Sequence, residues 1–122
     1  MAFRDAFPIF HTRDLPRALA FYAERLGFEE RDRFPDEGAP GFVVVGLGSF
    51  SLGLTAVDEV EPAGRVGLWL YCDDVDAEIA RLREEGVEIG KGPEDMDWGE
   101  RVARVRDPDG NEIYIGRRTE AT

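Results

Sequence analysis

The stretch WGERVARVRDPDGNEIYIGR, residues 98–117, decides the fold. It reads as strand, tight turn, strand, with Trp98 at its mouth. Val102, Ala103 and Val105 stand among charged residues, the half-buried alternation of a strand with one face toward a core. Asp107-Pro108-Asp109-Gly110 is a turn with a mechanism. Proline presets φ, the aspartates bond the local backbone, and glycine takes the left-handed position. Asn111-Glu112-Ile113-Tyr114-Ile115 returns as the second strand. Hairpins with Asp-Gly turns are common, so this one gains its weight from the repeat that it closes.

The first strand is expected at residues 6–12, with Phe7, Ile9 and His11 on one face. Pro8 inside it points to an edge or an unpaired start. Asp14 caps a helix that tolerates Pro16 in its first turn. Leu15, Ala18, Leu19, Tyr22 and Leu26 form its apolar stripe, and Gly27 ends it. A charged strand over 28–34, a loop over 35–40, and a hairpin of 42–47 with 50–55 follow. Residues 57–64 read as a linker. The pattern then restarts with a strand at 66–72. A helix capped by Asp74 has Val75, Ile79, Ala80 and Leu82 as its stripe, and Gly86 ends it. A short strand at 87–89 and a loop at 90–99 precede the final hairpin. At an offset of about 60 residues the halves agree element by element, an internal repeat. Asp14 falls on Asp74, Leu15 on Val75, Leu19 on Ile79, Ala20 on Ala80, and Gly27 nearly on Gly86. The expected fold is α+β, a single domain over 1–122 built of two βαβββ modules, 1–60 and 61–122.

Composition narrows the function. The chain has 122 residues, 43% hydrophobic and 34% charged, enough for a folded domain with a core. The beginning, with Arg4 and Asp5 and no long apolar run, does not read as a signal peptide. No stretch has the length of a membrane span. The one cysteine, Cys72, fits a reducing cytoplasm and reads as a small buried hydrophobe. A net charge of −11 argues against nucleic acid and anionic membranes as partners. It favours solubility first and attraction of cationic ligands second.

Three stretches carry a family resemblance: AFPIFHTRDLPRALAFYAERLGF, VGLWLYCDDVDAEIARL and DWGERVARVRDPDGNEIYI. They resemble the vicinal oxygen chelate superfamily of glyoxalase, bleomycin resistance protein and dioxygenase. The Arg13-Asp14 corner, the Trp69-x-Tyr71 strand and the Trp98-Gly99 loop look most like the bleomycin resistance branch. The resemblance implies sheets that cup a cleft and a homodimer. In most enzymes of this superfamily it also implies a metal held by His, Gln or Glu. Those positions fall here on Phe7, Gly53, Gly67 and Tyr114. Three of these bring no donor, tyrosine is a poor ligand unless acidified, and the chain has a single histidine. No metal and no cofactor are therefore expected.

Aromatic and apolar residues stand in place of the ligands. Phe7, Ile9, Phe34 and Phe42 from the first module, and Trp69, Tyr71, Trp98 and Tyr114 from the second, are the expected lining of a ligand site. Rings of this kind suit a planar heterocycle or a cation. Phe10, Phe21, Tyr22 and Phe28 belong to the core instead. His11 reads as a strand-end histidine before it reads as an acid or base. Asp32, Asp36, Glu37, Glu94, Asp95 and Asp97 read as solvated loop charges whose sign suits a cationic ligand. The leading function is thus metal-free binding of a planar, cationic small molecule, in the manner of antibiotic sequestration. The alternatives are a lyase- or dioxygenase-like enzyme of the same superfamily and a domain with a filled, inactive cleft. A metal-independent enzyme would draw on His11, Tyr71, Tyr114 or Glu112, whose spacing forms no nucleophile–base pair.

Overall fold

The computed structural model describes residues 6–60 and 67–118. Arg4 and Asp5, the last part of the expected linker (61–64) and Val66 lie outside the described residues. The chain divides into two compact units, Met1–Glu61 and Pro62–Thr122.

In the first unit the order is β1 (Ile9–Thr12), α1 (Leu15–Ala20), β2 (Glu29–Phe34), β3 (Phe42–Leu47) and β4 (Phe50–Ala56). The sheet runs β1-β4-β3-β2. β1 lies parallel to β4, and the other pairs are antiparallel. β1 starts three residues later than expected, at Ile9. Proline has no N–H for the ladder, so Phe7 precedes the strand. The Pro8 carbonyl still accepts a bond from the Gly53 N–H at 2.9 Å. Asp14 caps α1 by accepting from the Arg17 N–H at 3.1 Å. The helix then widens into a π turn over Phe21–Arg25, where the Leu26 N–H reaches back to the Phe21 carbonyl. Leu15, Ala18, Phe21 and Tyr22 are buried with Val43, Val45, Leu52 and Leu54 of the sheet. Tyr22 meets Phe21 and Phe28 edge-on, at 5.0 and 5.6 Å between centroids. Leu19, Leu26 and Phe10 are half-buried at the margin of this core.

The second unit repeats the plan: β5 (Gly67–Tyr71), α2 (Val75–Glu84), β6 (Glu88–Met96), β7 (Glu100–Arg106) and β8 (Glu112–Arg118), in the order β5-β8-β7-β6. Asp74 caps α2 through the Ala77 N–H at 3.0 Å. At the other end Gly86, with φ +85°, lets the Val87 N–H close onto the Leu82 carbonyl and its own N–H onto Arg83. That double bond pattern ties off the last turn's free carbonyls. Val75, Ile79 and Leu82 are buried with Ala103, Val105, Ile113 and Ile115. Ala80 is exposed, against the expected stripe. Five residues beyond Val75 the helix has turned about 140° away from the core side.

The expected loop over 90–99 is mostly strand. β6 pairs with β7 up to Met96, through register shifts between Ile89 and Lys91 and between Lys91 and Glu94. Gly90, Gly92, Pro93 and these shifts destroy the alternation that betrays a strand, and an edge position tolerates the proline. Only residues 97–99 remain as turn, with the Gly99 N–H bonded to the Met96 carbonyl. The hairpin turn at Asp107 forms as expected, with Gly110 at φ +89°.

Candidate functional site

In each unit one sheet face is packed by the helix, and strand alternation sends the other set of side chains to the opposite face. In the second unit that set includes Gly67, Trp69 and Tyr71 of β5, beside Glu112, Tyr114 and Gly116 of β8. Trp69 stacks on Tyr114, with centroids 5.4 Å apart and planes 12° apart. Tyr71 adjoins Trp69 at 6.0 Å and 55°. Glycines make room for this floor. A β carbon at Gly116 would come within 2.9 Å of Trp69 Cζ2, and one at Gly67 within 2.9 Å of Tyr114 Cε2. Trp69, Tyr71 and Trp98 are 38%, 55% and 63% exposed, so they face solvent rather than the helix core.

A polar frame fixes the rings. Tyr71 Oη donates to Glu100 Oε2 at 2.7 Å, and Trp98 Nε1 donates to Glu100 Oε1 at 2.6 Å. Arg118 pairs in register with Glu100, and its guanidinium lies 4.9 Å from the centre of the Tyr71 ring. Glu100 and Arg118 were not among the expected site residues. Their signal lay in the register: counting outward from the Asp107 turn sets them opposite each other on the ring-bearing face. The bond to Glu100 holds the Tyr71 phenol above the ordinary tyrosine range, with burial adding to the effect. The same bond, then that from Trp98, holds Glu100 below the ordinary carboxylate range.

Further along this face the side chains are charged. Arg106 bonds Glu88 at 2.6 Å and Glu112 at 3.1 Å, and Arg104 faces Glu112 at 3.2 Å. Glu112 thus accepts a bond from Arg106 and forms ion pairs with both arginines. Glu94 and Asp95 lie on β6, where they pair with Lys91 and Arg101. Cys72 follows β5 and is half-buried, and burial raises its thiol above the usual range.

The first unit has its own version of the open face. Ile9 and His11 stand in register with Gly53 and Thr55, and Phe42 with Thr55 and Phe34. The Phe42 ring and Ile9 fill the space over Gly53, where a β carbon would meet them at 3.0 and 3.1 Å. Phe34 is 70% exposed at the end of β2. Phe7, Ile9 and His11 are exposed as well. A β-bulge between Glu30 and Asp32 accompanies Arg31, whose guanidinium covers Gly46 and donates to the Gly48 carbonyl at 2.7 Å.

The ligand positions implied by the family resemblance do not fit a metal. Gly53 is covered by Phe42 and Ile9, Gly67 by the Tyr114 ring, and Phe7 offers no donor atom. Among the described residues no three His, Cys, Asp or Glu side chains gather where they could hold an ion. No described helix is long and apolar enough to cross a membrane.

Comparison with known proteins agrees with this architecture. TnmS3, an antibiotic binding protein from Streptomyces sp. CB03234, is 34% identical, with a TM-score of 0.74 over 97% of this chain and 98% of that one. A member of the glyoxalase/bleomycin resistance protein/dioxygenase superfamily from Sphaerobacter thermophilus DSM 20745 is 30% identical, with a TM-score of 0.77 over 96% and 99%. TioX from Micromonospora sp. ML1 shares the fold at 21% identity, with a TM-score of 0.76 over 94% and 99%. A search of curated proteins gives no match. The family model described as Glyoxalase/Bleomycin resistance protein/Dioxygenase superfamily matches residues 9–115, and with its two βαβββ modules the chain belongs to that superfamily.

Proposed function

We propose that this chain is a metal-free binding protein that sequesters a planar, cationic small molecule of the antibiotic kind. The observation that carries the reading is the floor of Trp69, Tyr71 and Tyr114, the first two exposed and the third half-buried, with Trp98 tied beside it. Flat rings with few rotamers offer apolar contact to a flat ligand at small entropic cost. Their negative faces, within a chain of net charge −11, favour a cation. Phe7, Ile9, Phe34 and Phe42 give the first module an apolar surface of its own for the ligand. The likeness to an antibiotic binding protein at 34% identity supports the same class. The family resemblance supports a homodimer, and the single cysteine a cytoplasmic setting. Turnover finds little support, since Glu112 is held by two arginines and the Tyr71 phenol by Glu100.

The test is a titration with proflavine, a flat cation, and with bleomycin, followed by tryptophan fluorescence. We expect quenching that saturates at one ligand per subunit and is unchanged by EDTA. Absence of quenching by both compounds, or binding that needs added nickel, zinc, iron or manganese, would contradict the proposal.

A further inference from the structure

We infer that Glu100 is a positioning residue that orders Trp98 before the ligand arrives. This deepens the binding reading above and rests on it. Trp98 is 63% exposed on a three-residue turn, 97–99. An exposed side chain in such a place samples several rotamers, and a ligand that must freeze one loses affinity. The Glu100 carboxylate selects one in advance. One oxygen takes the indole N–H at 2.6 Å, and the other takes the Tyr71 hydroxyl at 2.7 Å. Hydrogen bonds to an ionised acceptor are roughly twice as strong as neutral ones.

The backbone around Glu100 is part of the sheet. The residue stands at the start of β7, in register with Arg118 of β8, whose guanidinium packs over the Tyr71 ring. One side chain therefore joins the β6–β7 turn to the strands that carry the floor. Glu100 acts through Trp98 and Tyr71, not by touching the ligand. A leucine fills similar space but offers no acceptor, so it leaves both donors unheld.

The experiment compares wild type with Glu100→Leu by nitrogen-15 NMR of the indole N–H groups. The chain has two tryptophans, so two indole signals are expected, and the Trp98 signal is the one lost in Trp98→Phe. In the wild type, without ligand, the Trp98 signal should show slow solvent exchange and a heteronuclear NOE close to that of stacked Trp69. In Glu100→Leu both should fall toward those of a free indole, while the Trp69 signal and the thermal midpoint stay put. Proflavine should then bind about tenfold more weakly. Equal Trp98 order in the two proteins overturns the inference, whatever the titrations give. Loosened Trp98 with unchanged proflavine affinity overturns the positioning role and leaves the binding reading intact. If the wild type binds neither proflavine nor bleomycin, the binding reading fails, and the indole signals alone decide whether Glu100 orders Trp98.

Discussion

Asp107 is an acidic residue only 5% exposed, and both of its carboxyl oxygens accept hydrogen bonds. It accepts from the N–H groups of Asp109 and Asn111 at 2.9 and 2.8 Å and from Asn111 Nδ2 at 2.7 Å. Such a residue is legible in sequence, since a turn needs its chemistry at fixed offsets. Gly116 is harder to read. It looks like a flexible strand end, but its missing side chain is where the Trp69 indole lies. Gly116→Ala should displace that ring. We expect a stability loss of about 1 kcal/mol, the low end of overpacking costs, and at least a severalfold loss in proflavine affinity. Chemical denaturation and fluorescence titration check the two arms. An alanine variant that binds proflavine as well as wild type would show that the floor's present geometry is not needed. Glu100 and Arg118 were invisible for a different reason: each reads as an ordinary surface charge until the strand register sets them face to face.

At the scale of elements, the helix caps and the hairpins were legible, because Asp14, Asp74 and the paired glycines at the helix ends each have a local physical role. The π turn in the first module was not, since nothing in its composition departs from α-helix. β6 was missed because its bulges and Pro93 erase the period that marks a strand. α2 shows how elements are pinned together. Arg101 on β7 bonds Asp76 in the first turn of α2 at 2.7 and 3.0 Å, and Asp95 on β6 at 3.0 Å. The bonds to Arg101 hold Asp76 below the ordinary carboxylate range. Its folded value is thus lower than its unfolded one. The tie stabilises the fold at neutral pH and is lost as pH falls through the lowered folded value. Both groups are partly exposed, so the effect is small and weakened by salt. Thermal midpoints followed from pH 7 into acid should fall less steeply in Arg101→Gln than in wild type, from a lower starting value. A parallel fall in the two proteins would show that this tie contributes nothing.

For the whole molecule, the repeat was readable because both halves keep helix caps and glycine stops at matching offsets. Its functional surface was only half readable. Alternation could find which rings share a face, but not that Trp69 and Tyr114 lie stacked, nor that much of the same face is an arginine–glutamate ladder. That contrast makes the central claim open to a direct test, because the two parts of the face are chemically distinct neighbours. The measurement is NMR chemical-shift mapping of proflavine binding on the EDTA-treated protein. The account predicts saturable shifts concentrated at Trp69, Tyr71, Trp98 and Tyr114. Shifts confined to Arg104, Arg106 and Glu112, or shifts that appear only when a divalent metal is restored, would contradict it.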